Sequence, residues 1–128
     1  MLVDTSVWID FFAGRNTTQV ETLEHAVQDA QDIALCGVIL TEILQGIRDD
    51  RQYRQVQGYL QPLILLPITE RTFIAAADIY RGLRKQGVTI RKTNDCIIAT
   101  VAIEHGVSLL HNDRDFDTIT TRIPLMVA

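Results

Sequence analysis

The sequence predicts an α/β fold in three layers, with a central parallel sheet of about five strands and helices on both faces. The apolar runs that we interpret as strands are short, unbroken and aliphatic, which is typical of parallel strands buried on both faces. Segments with helical spacing of apolar residues alternate with these runs along the chain. The 128 residues contain no internal repeat and no linker rich in Pro, Gly or Ser, so we expect one domain over residues 1–128.

Five apolar runs are the predicted strands. The first ends at Asp4, the second is closed by Gly37, and the third lies between Pro62 and Pro67. Each run has the length of a buried strand and is bounded by residues that favour turns. The predicted strands cover residues 1–3, 33–36, 63–66, 107–110 and 123–127.

Capping residues and helix breakers set the bounds of the predicted helices. Thr5 or Ser6 can cap the first helix, Thr69 and Thr93 can cap two later ones, and Gly87 is a C-terminal stop. Apolar residues recur three and four positions apart in these segments, so each helix should bury one face. The first predicted helix follows residues 5 and 6, and the others cover about residues 17–30, 38–48, 50–60, 69–86 and 93–105, with one helical turn over 116–120.

Composition and charge exclude several classes of protein. Hydrophobic residues make up 47% and charged residues 22% of the chain, which is typical of a globular protein and not of a disordered one. A net charge of −4 argues against coating of nucleic acid through a bulk positive field, but not against an enzyme that handles nucleic acid locally. The two cysteines lie in apolar runs, and no signal peptide or membrane span is recognisable, so we expect a cytoplasmic protein without membrane contact.

Four carboxylates stand at positions that suggest chemistry. Asp4 ends the first predicted strand and Asp113 follows the fourth, and parallel sheets bind ligands beyond the carboxyl ends of their strands. The spacing of Glu42 places it on the buried stripe of its helix, where an unpaired charge is costly. Asp95 lies in the first turn of a helix and also faces inward. Each has a structural alternative: a helix cap for Asp4, an arginine partner for Glu42 and the helix dipole for Asp95.

These acids would meet if the first strand lies between the second and the fourth. Asp113, Asp115 and Asp117 alternate after the fourth strand, which is more acid than a turn requires. Close carboxylates repel one another unless a cation neutralises them, so at least one should have a raised pKa in the metal-free protein. Oxygen ligands without His or Cys favour Mg²⁺, and Mn²⁺ can substitute. The sequence therefore predicts a hard-cation site.

Four short segments surround these acids in order along the chain. They are Leu2-Val3-Asp4-Thr5-Ser6, Thr41-Glu42-Ile43-Leu44-Gln45-Gly46, Asn94-Asp95-Cys96-Ile97-Ile98-Ala99 and His111-Asn112-Asp113-Arg114-Asp115-Phe116. With these segments in register over nearly the whole chain, the sequence resembles a PIN domain, and specifically a VapC-type toxin of a type II toxin–antitoxin pair. Each segment alone is a weak signal, whereas four in register are fairly specific.

The resemblance implies a Mg²⁺- or Mn²⁺-dependent endoribonuclease that cleaves RNA phosphodiester bonds, is usually a homodimer and is neutralised by a VapB-like antitoxin. The carboxylates implied at its site, as metal ligands or catalytic groups, are Asp4, Glu42, Asp95, Asp113 and, at a position where the family varies, Asp115. Thr5 or Ser6 matches a hydroxyl beside the first acid and could position the attacking water.

Basic and aromatic residues add weaker signals. A basic stretch could follow an RNA backbone beside the acids, although a solvated helix face explains it equally well. Its residues are Arg81, Arg84, Lys85, Arg91 and Lys92. Trp8, Phe11 and Phe12 could stack on a base, and Trp8 and Phe11 could line the mouth of an antitoxin groove. Core or interface packing is the alternative, and we expect it for at least two of the three.

Apolar helix faces predict two protein interfaces. A groove between helix 17–30 and the helices of residues 38–60 is expected to take an amphipathic antitoxin segment, which would send an Arg or Lys into the acidic pocket. Helix 69–86 is expected to form the homodimer.

Two rival functions stay open: a non-catalytic PIN-like module that binds RNA or protein, and a phosphoryl-transfer protein with a strand-end Asp. The first typically loses its acids. Of the second class, a phosphatase would have an Asp where Ser6 stands, and a response-regulator receiver would have an early acid pair and a late Lys where this chain has His111 or Asn112.

Overall fold

A parallel four-stranded sheet forms the centre of the computed structural model, which describes residues 1–128. The strands are β1 (Leu2–Val3), β2 (Ala34–Cys36), β3 (Ile64–Leu66) and β4 (Leu109–Leu110), and their order across the sheet is β3-β2-β1-β4. Leu2 of β1 pairs with Ala34 on one side and with Leu109 on the other. The α/β class is confirmed, and β1 lies between β2 and β4 as the clustering of the acids requires.

Seven helices accompany the sheet. They are α1 (Thr5–Phe12), α2 (Thr18–Gln28), α3 (Gly37–Gln45), α4 (Asp50–Leu60), α5 (Glu70–Lys85), α6 (Thr93–Glu104) and α7 (Arg114–Thr120). Gly87 follows α5 with a φ of +82°, a conformation that glycine adopts without strain and that suits the end of a helix. None of the helices combines the length and the apolar character that a bilayer crossing needs.

The prediction of a fifth strand over 123–127 is wrong. That segment contributes a single parallel bridge, between Val127 and Leu109. Leu109 donates its N–H to the carbonyl of Met126 at 2.8 Å and accepts from the N–H of Ala128 at 2.9 Å. Pro124 has no N–H to donate, so a longer ladder is not available at the start of the segment.

The structure also corrects the expected burial of β3 and two helix caps. Strand β3 is an edge strand, so Leu65 is 58% exposed and not covered on both faces. Asp4, and neither Thr5 nor Ser6, is the N-cap of α1, where its side chain accepts from the N–H of Ser6. Lys92 occupies the N-cap position of α6 in place of Thr93, and it caps no backbone N–H with its side chain.

Buried apolar side chains form one cluster of 27 residues that extends from β1 to α7 and the C-terminal segment. Helix α6 is the most deeply buried helix, with seven consecutive or near-consecutive buried residues from Asp95 to Ala102. Helices α3, α5 and α7 all pack against it. We infer a single domain over residues 1–128, in which the start of α6 is held rigidly beside the sheet.

Candidate active site

The carboxyl ends of β1 and β4 lie side by side and bring the sequence-predicted acids to one edge of the sheet. Asp4 follows β1, and its N–H donates to the carbonyl of Leu110 at 2.9 Å. Asp113 lies three residues beyond that carbonyl, and Asp95 stands in the first turn of α6. One pocket of about 320 Å³ is lined by Asp4, Thr5, Ser6, Ile9, Glu42, Gln45, Lys92, Asp95 and Asp113. The structure thus gathers the four acids around one cavity.

Three carboxylates are close enough to share a cation. Asp95, Asp113 and Asp115 each offer an oxygen, and these atoms all lie within 4.8 Å of one another. The Oδ2 atoms of Asp95 and Asp115 are buried and accept no hydrogen bond. Buried acceptors without a partner are costly, and carboxylate oxygens are the ligands that hard divalent cations prefer. The donor set therefore fits Mg²⁺ or Mn²⁺.

Asp4 serves as a helix cap and as a wall of the pocket. Its Oδ2 accepts from the N–H of Ser6 at 3.0 Å and from the Ser6 hydroxyl at 2.6 Å. The same hydroxyl oxygen accepts the N–H of Asn112 at 3.0 Å, from the segment after β4. Ser6 therefore ties the ends of β1 and β4 together and fixes one oxygen of Asp4.

Glu42 is half-buried, and so less enclosed than the helical spacing predicted. Its Oε1 accepts the hydroxyl of Thr5 at 2.8 Å, and no arginine pairs with it. Thr5 and Ser6 thus each hold one carboxylate, Glu42 and Asp4 respectively. In this state both hydroxyls are committed to side chains of the site.

Two cations from the segment before α6 reach the acids. The Nζ of Lys92 lies 2.9 Å from Asp113 Oδ2 and 3.8 Å from Asp95 Oδ2, and the second distance is too long for a hydrogen bond. The Nε of Arg91 lies 3.4 Å from Asp115 Oδ2 as an ion pair. The contact of Lys92 with Asp113 joins residues 21 positions apart, so the sequence spacing did not predict it. The spacing of three between Lys92 and Asp95 was a local signal that Lys92 lies beside Asp95.

The other basic residues of that stretch lie outside the pocket. Arg81, Arg84 and Lys85 are exposed on the C-terminal half of α5. The guanidinium of Arg84 stands 5.7 Å from the centre of the Tyr80 ring, a cation–π distance. The stretch is therefore divided between two residues at the acids and three on a solvated helix face.

The pKa values of Asp95, Asp4 and Asp113 are not all shifted in the same direction. Burial raises the pKa of Asp95 to about 7, against the attraction of Lys92 and with repulsion from Asp113. Burial also raises the pKa of Asp4, and repulsion by Glu42 adds to it. Burial opposes ionisation of Asp113 too, but hydrogen bonds from the Asp115 N–H and Lys92 outweigh it and lower its pKa. A raised pKa was expected, although burial and not mutual repulsion is its leading cause.

His111 has a structural role beside the site. This residue is 7% exposed, and its Nδ1 accepts the N–H of Asp113 at 3.2 Å. The contact fixes the backbone of the segment that carries Asp113. A histidine two residues before an aspartate gives no periodic signal, so only the fold reveals this role.

The aromatic residues near the site are packed against one another. Trp8 is fully buried, and its ring centre lies 5.7 Å from those of Phe11 and Phe12 and 6.2 Å from that of Tyr59. Trp8 therefore cannot stack on a base or line the mouth of a groove, and that suggestion was wrong. Core packing is its role.

An apolar groove of about 510 Å³ runs away from the acids. Helices α1, α3 and α4 form it, and its residues include Ile9, Phe12, Ile43, Ile47 and Val56. Ile9 and Glu42 line both this groove and the acidic pocket, so the two cavities meet. The predicted wall from α2 is wrong, because the apolar face of α2 is buried in the core.

Comparison with known proteins gives one family. The family model of the PIN domain matches residues 1–121. VapC ribonuclease Mb1587 of Mycobacterium bovis and Ribonuclease VapC11 of Mycobacterium tuberculosis are each 38% identical over 130 residues, which cover 100% of this chain and 97% of the relative. The solved VapBC2 complex of Rickettsia felis, bound to a DNA fragment from its promoter, has a chain that superposes with a TM-score of 0.78. That match covers 99% of this chain and 96% of the other at 18% identity, and it concerns the fold.

Proposed function

The chain belongs to the PIN domain family, and we propose that it is a metal-dependent endoribonuclease that acts as the toxin of a toxin–antitoxin pair. Full-length relatives at 38% identity carry the name ribonuclease. The observation that carries the proposal is the meeting of Asp95, Asp113 and Asp115 within 4.8 Å, with buried oxygens that accept no hydrogen bond. A set of acids kept together at such a cost is the expected form of a nuclease metal site.

We infer that Mg²⁺, or Mn²⁺ in its place, is held by Asp95, Asp113 and Asp115, with Asp4 on the adjoining wall. When bound, such an ion makes water more acidic and offsets the charge of a phosphate. The carboxylates supply the negative field that selects a divalent cation over a monovalent one. Their burial removes competing water, which strengthens that field.

The remaining side chains are suited to the water and the substrate. Glu42 borders the pocket with one oxygen fixed by Thr5, so its other oxygen can accept a proton from the attacking water. Hydrolysis joins the water oxygen to phosphorus and breaks the bond from phosphorus to the leaving ribose oxygen, which takes a proton from solvent. Ser6 keeps Asp4 in place through both its N–H and its hydroxyl.

Arg81, Arg84 and Lys85 offer a second, more distant contact for RNA. They are exposed on one helix that leads into the segment with Arg91 and Lys92. We propose that these three contact backbone phosphates away from the scissile bond, because contacts of this kind position nucleic acid without reading its sequence.

The groove between α1, α3 and α4 is the proposed antitoxin site. Six of its eleven lining residues are hydrophobic, and it meets the acidic pocket at Ile9 and Glu42. An amphipathic helix can fill such a groove, and a terminal Arg or Lys would then enter the pocket and pair with the acids. For the homodimer we retain α5, where Phe73 and Ile74 are 51% and 56% exposed. Ala76 and Leu83 of the same helix are buried in the core and are not available to that interface.

The activity is tested with purified protein and total RNA in the presence of Mg²⁺, Mn²⁺ or EDTA. We expect cleavage with either ion, none with EDTA, and none by Asp95→Asn. Asp32→Asn is the matched control, because Asp32 is exposed between α2 and β2 and forms no ion pair. Binding of RNA without cleavage in any metal would favour a non-catalytic module, and hydrolysis of a phosphomonoester alone would favour a phosphoryl-transfer protein.

The partner is tested by co-expression with the gene immediately upstream, followed by size-exclusion chromatography. We expect a complex that elutes ahead of the isolated chain and no longer cleaves RNA. A chain that elutes as a monomer, unchanged by the neighbour's product, would contradict both the antitoxin and the homodimer.

A further inference from the structure

Lys92 is the one lysine that lines the acidic pocket. Its Nζ donates to Asp113 Oδ2 at 2.9 Å and lies 3.8 Å from Asp95 Oδ2. An ammonium is a compact charge with three donors, so it can contact one carboxylate and still present hydrogens to a second anion. The single positive charge of Lys92 cannot neutralise the five acids of the site, which are Asp4, Glu42, Asp95, Asp113 and Asp115.

The backbone fixes the base of this side chain and leaves its end free. The carbonyl of Lys92 accepts the N–H of Asp95 at 3.1 Å, which ties the residue to the first turn of α6. Its side chain is 51% exposed, and its only side-chain partners are the carboxylates of Asp113 and Asp95. The group can therefore turn from Asp113 towards the opening of the pocket without any movement of the backbone.

Asp113 has little capacity for another cation while Lys92 is bound. Its Oδ1 accepts the N–H of Asp115 at 2.9 Å, and its Oδ2 accepts Lys92. A divalent cation among Asp95, Asp113 and Asp115 would compete with the ammonium for the same oxygen. A displaced ammonium would stay beside the pocket, where the phosphate of a bound RNA would be the anion that attracts it most strongly.

We propose that Lys92 is a catalytic residue whose ammonium binds a non-bridging oxygen of the scissile phosphate, an inference that rests on the proposed ribonuclease function. Negative charge grows on these oxygens as the water oxygen bonds to phosphorus, so a fixed cation there stabilises the transition state more than the ground state. Lys92 neither gains nor loses a proton in this role. In the structure the same ammonium contacts Asp113.

The test compares Lys92→Met, Lys92→Arg and the control Arg54→Met, which removes an exposed cation of α4 that makes no ion pair and lines neither the groove nor the acidic pocket. Binding of Mn²⁺ alone is measured by calorimetry. Binding of inorganic phosphate to the Mn²⁺-loaded protein is measured next, and then kcat and KM on an RNA oligonucleotide that the wild type cleaves. Circular dichroism checks that each variant is folded. We expect folded variants because the side chain of Lys92 is largely exposed.

Lys92→Met should bind Mn²⁺ about fivefold more tightly, because the ammonium no longer competes with the metal for Asp113. A change of about this size is typical of one partly exposed ion pair. It should bind phosphate at least about tenfold more weakly and lower kcat about 10²-fold, as loss of one transition-state donor does. Lys92→Arg should keep phosphate binding within about threefold of the wild type, because the charge remains. Arg54→Met should match the wild type in all three measurements.

Two results would overturn the role of Lys92. Weaker Mn²⁺ binding by Lys92→Met with unchanged phosphate binding would mean that the lysine merely holds the acids in place. Unchanged binding and kinetics would mean that it is a solvated side chain. If the wild type itself cleaves no RNA, the ribonuclease proposal fails, and the Mn²⁺ and phosphate measurements still decide whether Lys92 is a phosphate ligand.

Discussion

Replacing Asp95 with Asn should stabilise the metal-free protein at neutral pH, although it alters a buried polar residue. The carboxyl of Asp95 is 2% exposed, and its pKa rises from 3.8 to about 7 on folding because burial disfavours the charge. An uncharged amide of nearly the same shape avoids that penalty. It can also donate hydrogen bonds to the neighbouring carboxylates.

The sign and size follow from proton linkage. Between about pH 4 and pH 7 the unfolded chain has lost the Asp95 proton while the folded chain retains it, so folding takes up a proton and stability falls as pH rises. This loss of folding stability is absent below pH 4 and constant above pH 7. A shift of about three pKa units corresponds to about 4 kcal/mol at 1.36 kcal/mol per unit. Local relaxation lowers this value, so we expect about 2–4 kcal/mol at pH 8.

The assay is urea unfolding of wild type and Asp95→Asn in EDTA at pH 4, 6 and 8, at one protein concentration. The difference between the two proteins isolates Asp95, because the other titrating groups are common to both. We expect a difference near zero at pH 4 and in favour of the variant at pH 8. Mg²⁺ should then stabilise the wild type and not the variant. A variant that is less stable at pH 8 without metal would refute the reasoning.

Three further outcomes test other parts of the molecule. Thr5→Val removes the 2.8 Å hydrogen bond to Glu42 and should slow RNA cleavage at least about tenfold, while urea unfolding shows a loss of only about 1 kcal/mol. Trp8→Ala empties a fully buried site and should cost about 3–5 kcal/mol in the same unfolding assay. Ile47→Glu places a charge in the groove and should reduce co-purification with the antitoxin, whereas Val27→Glu, on an exposed face of α2, should not. An equal loss of co-purification for both variants would mean that the antitoxin does not bind in this groove.

The sequence predicted most of the fold because its strands and helices have strong local signals. Short aliphatic runs gave four strands at nearly their observed bounds, and their placement brought Asp4 and Asp113 to one edge. The fifth strand failed because an apolar run does not reveal whether a partner strand is long enough to pair with it. Strand β4 has two residues, Leu109 and Leu110, and Val127 bridges one of them.

The site was less predictable than the fold, because its contacts depend on side-chain geometry between distant segments. Nothing local to Thr5 indicates that it holds Glu42, 37 residues away, or that Ser6 bonds to the backbone after β4. The burial of Asp95 was predictable, because its helical spacing places it on the same face as Ile98 and Ala102, which are buried in the core. The pairing of Lys92 with Asp113, by contrast, needs the chain reversal between α6 and β4.

The acids of this site divide between structural and purely functional duties, and that division determines which substitutions are informative. Asp4 and Asp113 are the N-caps of α1 and α7, so their carboxylates hold backbone N–H groups as well as facing the pocket. Asparagine caps a helix nearly as well as aspartate, whereas alanine loses about 1 kcal/mol of helix stability. Asp95 caps nothing, and its buried Oδ2 accepts no hydrogen bond in the metal-free protein. A carboxylate that weakens the fold and satisfies no donor is explained by the cation it is placed to bind, and Asp95 is therefore the acid whose replacement separates function from folding most cleanly.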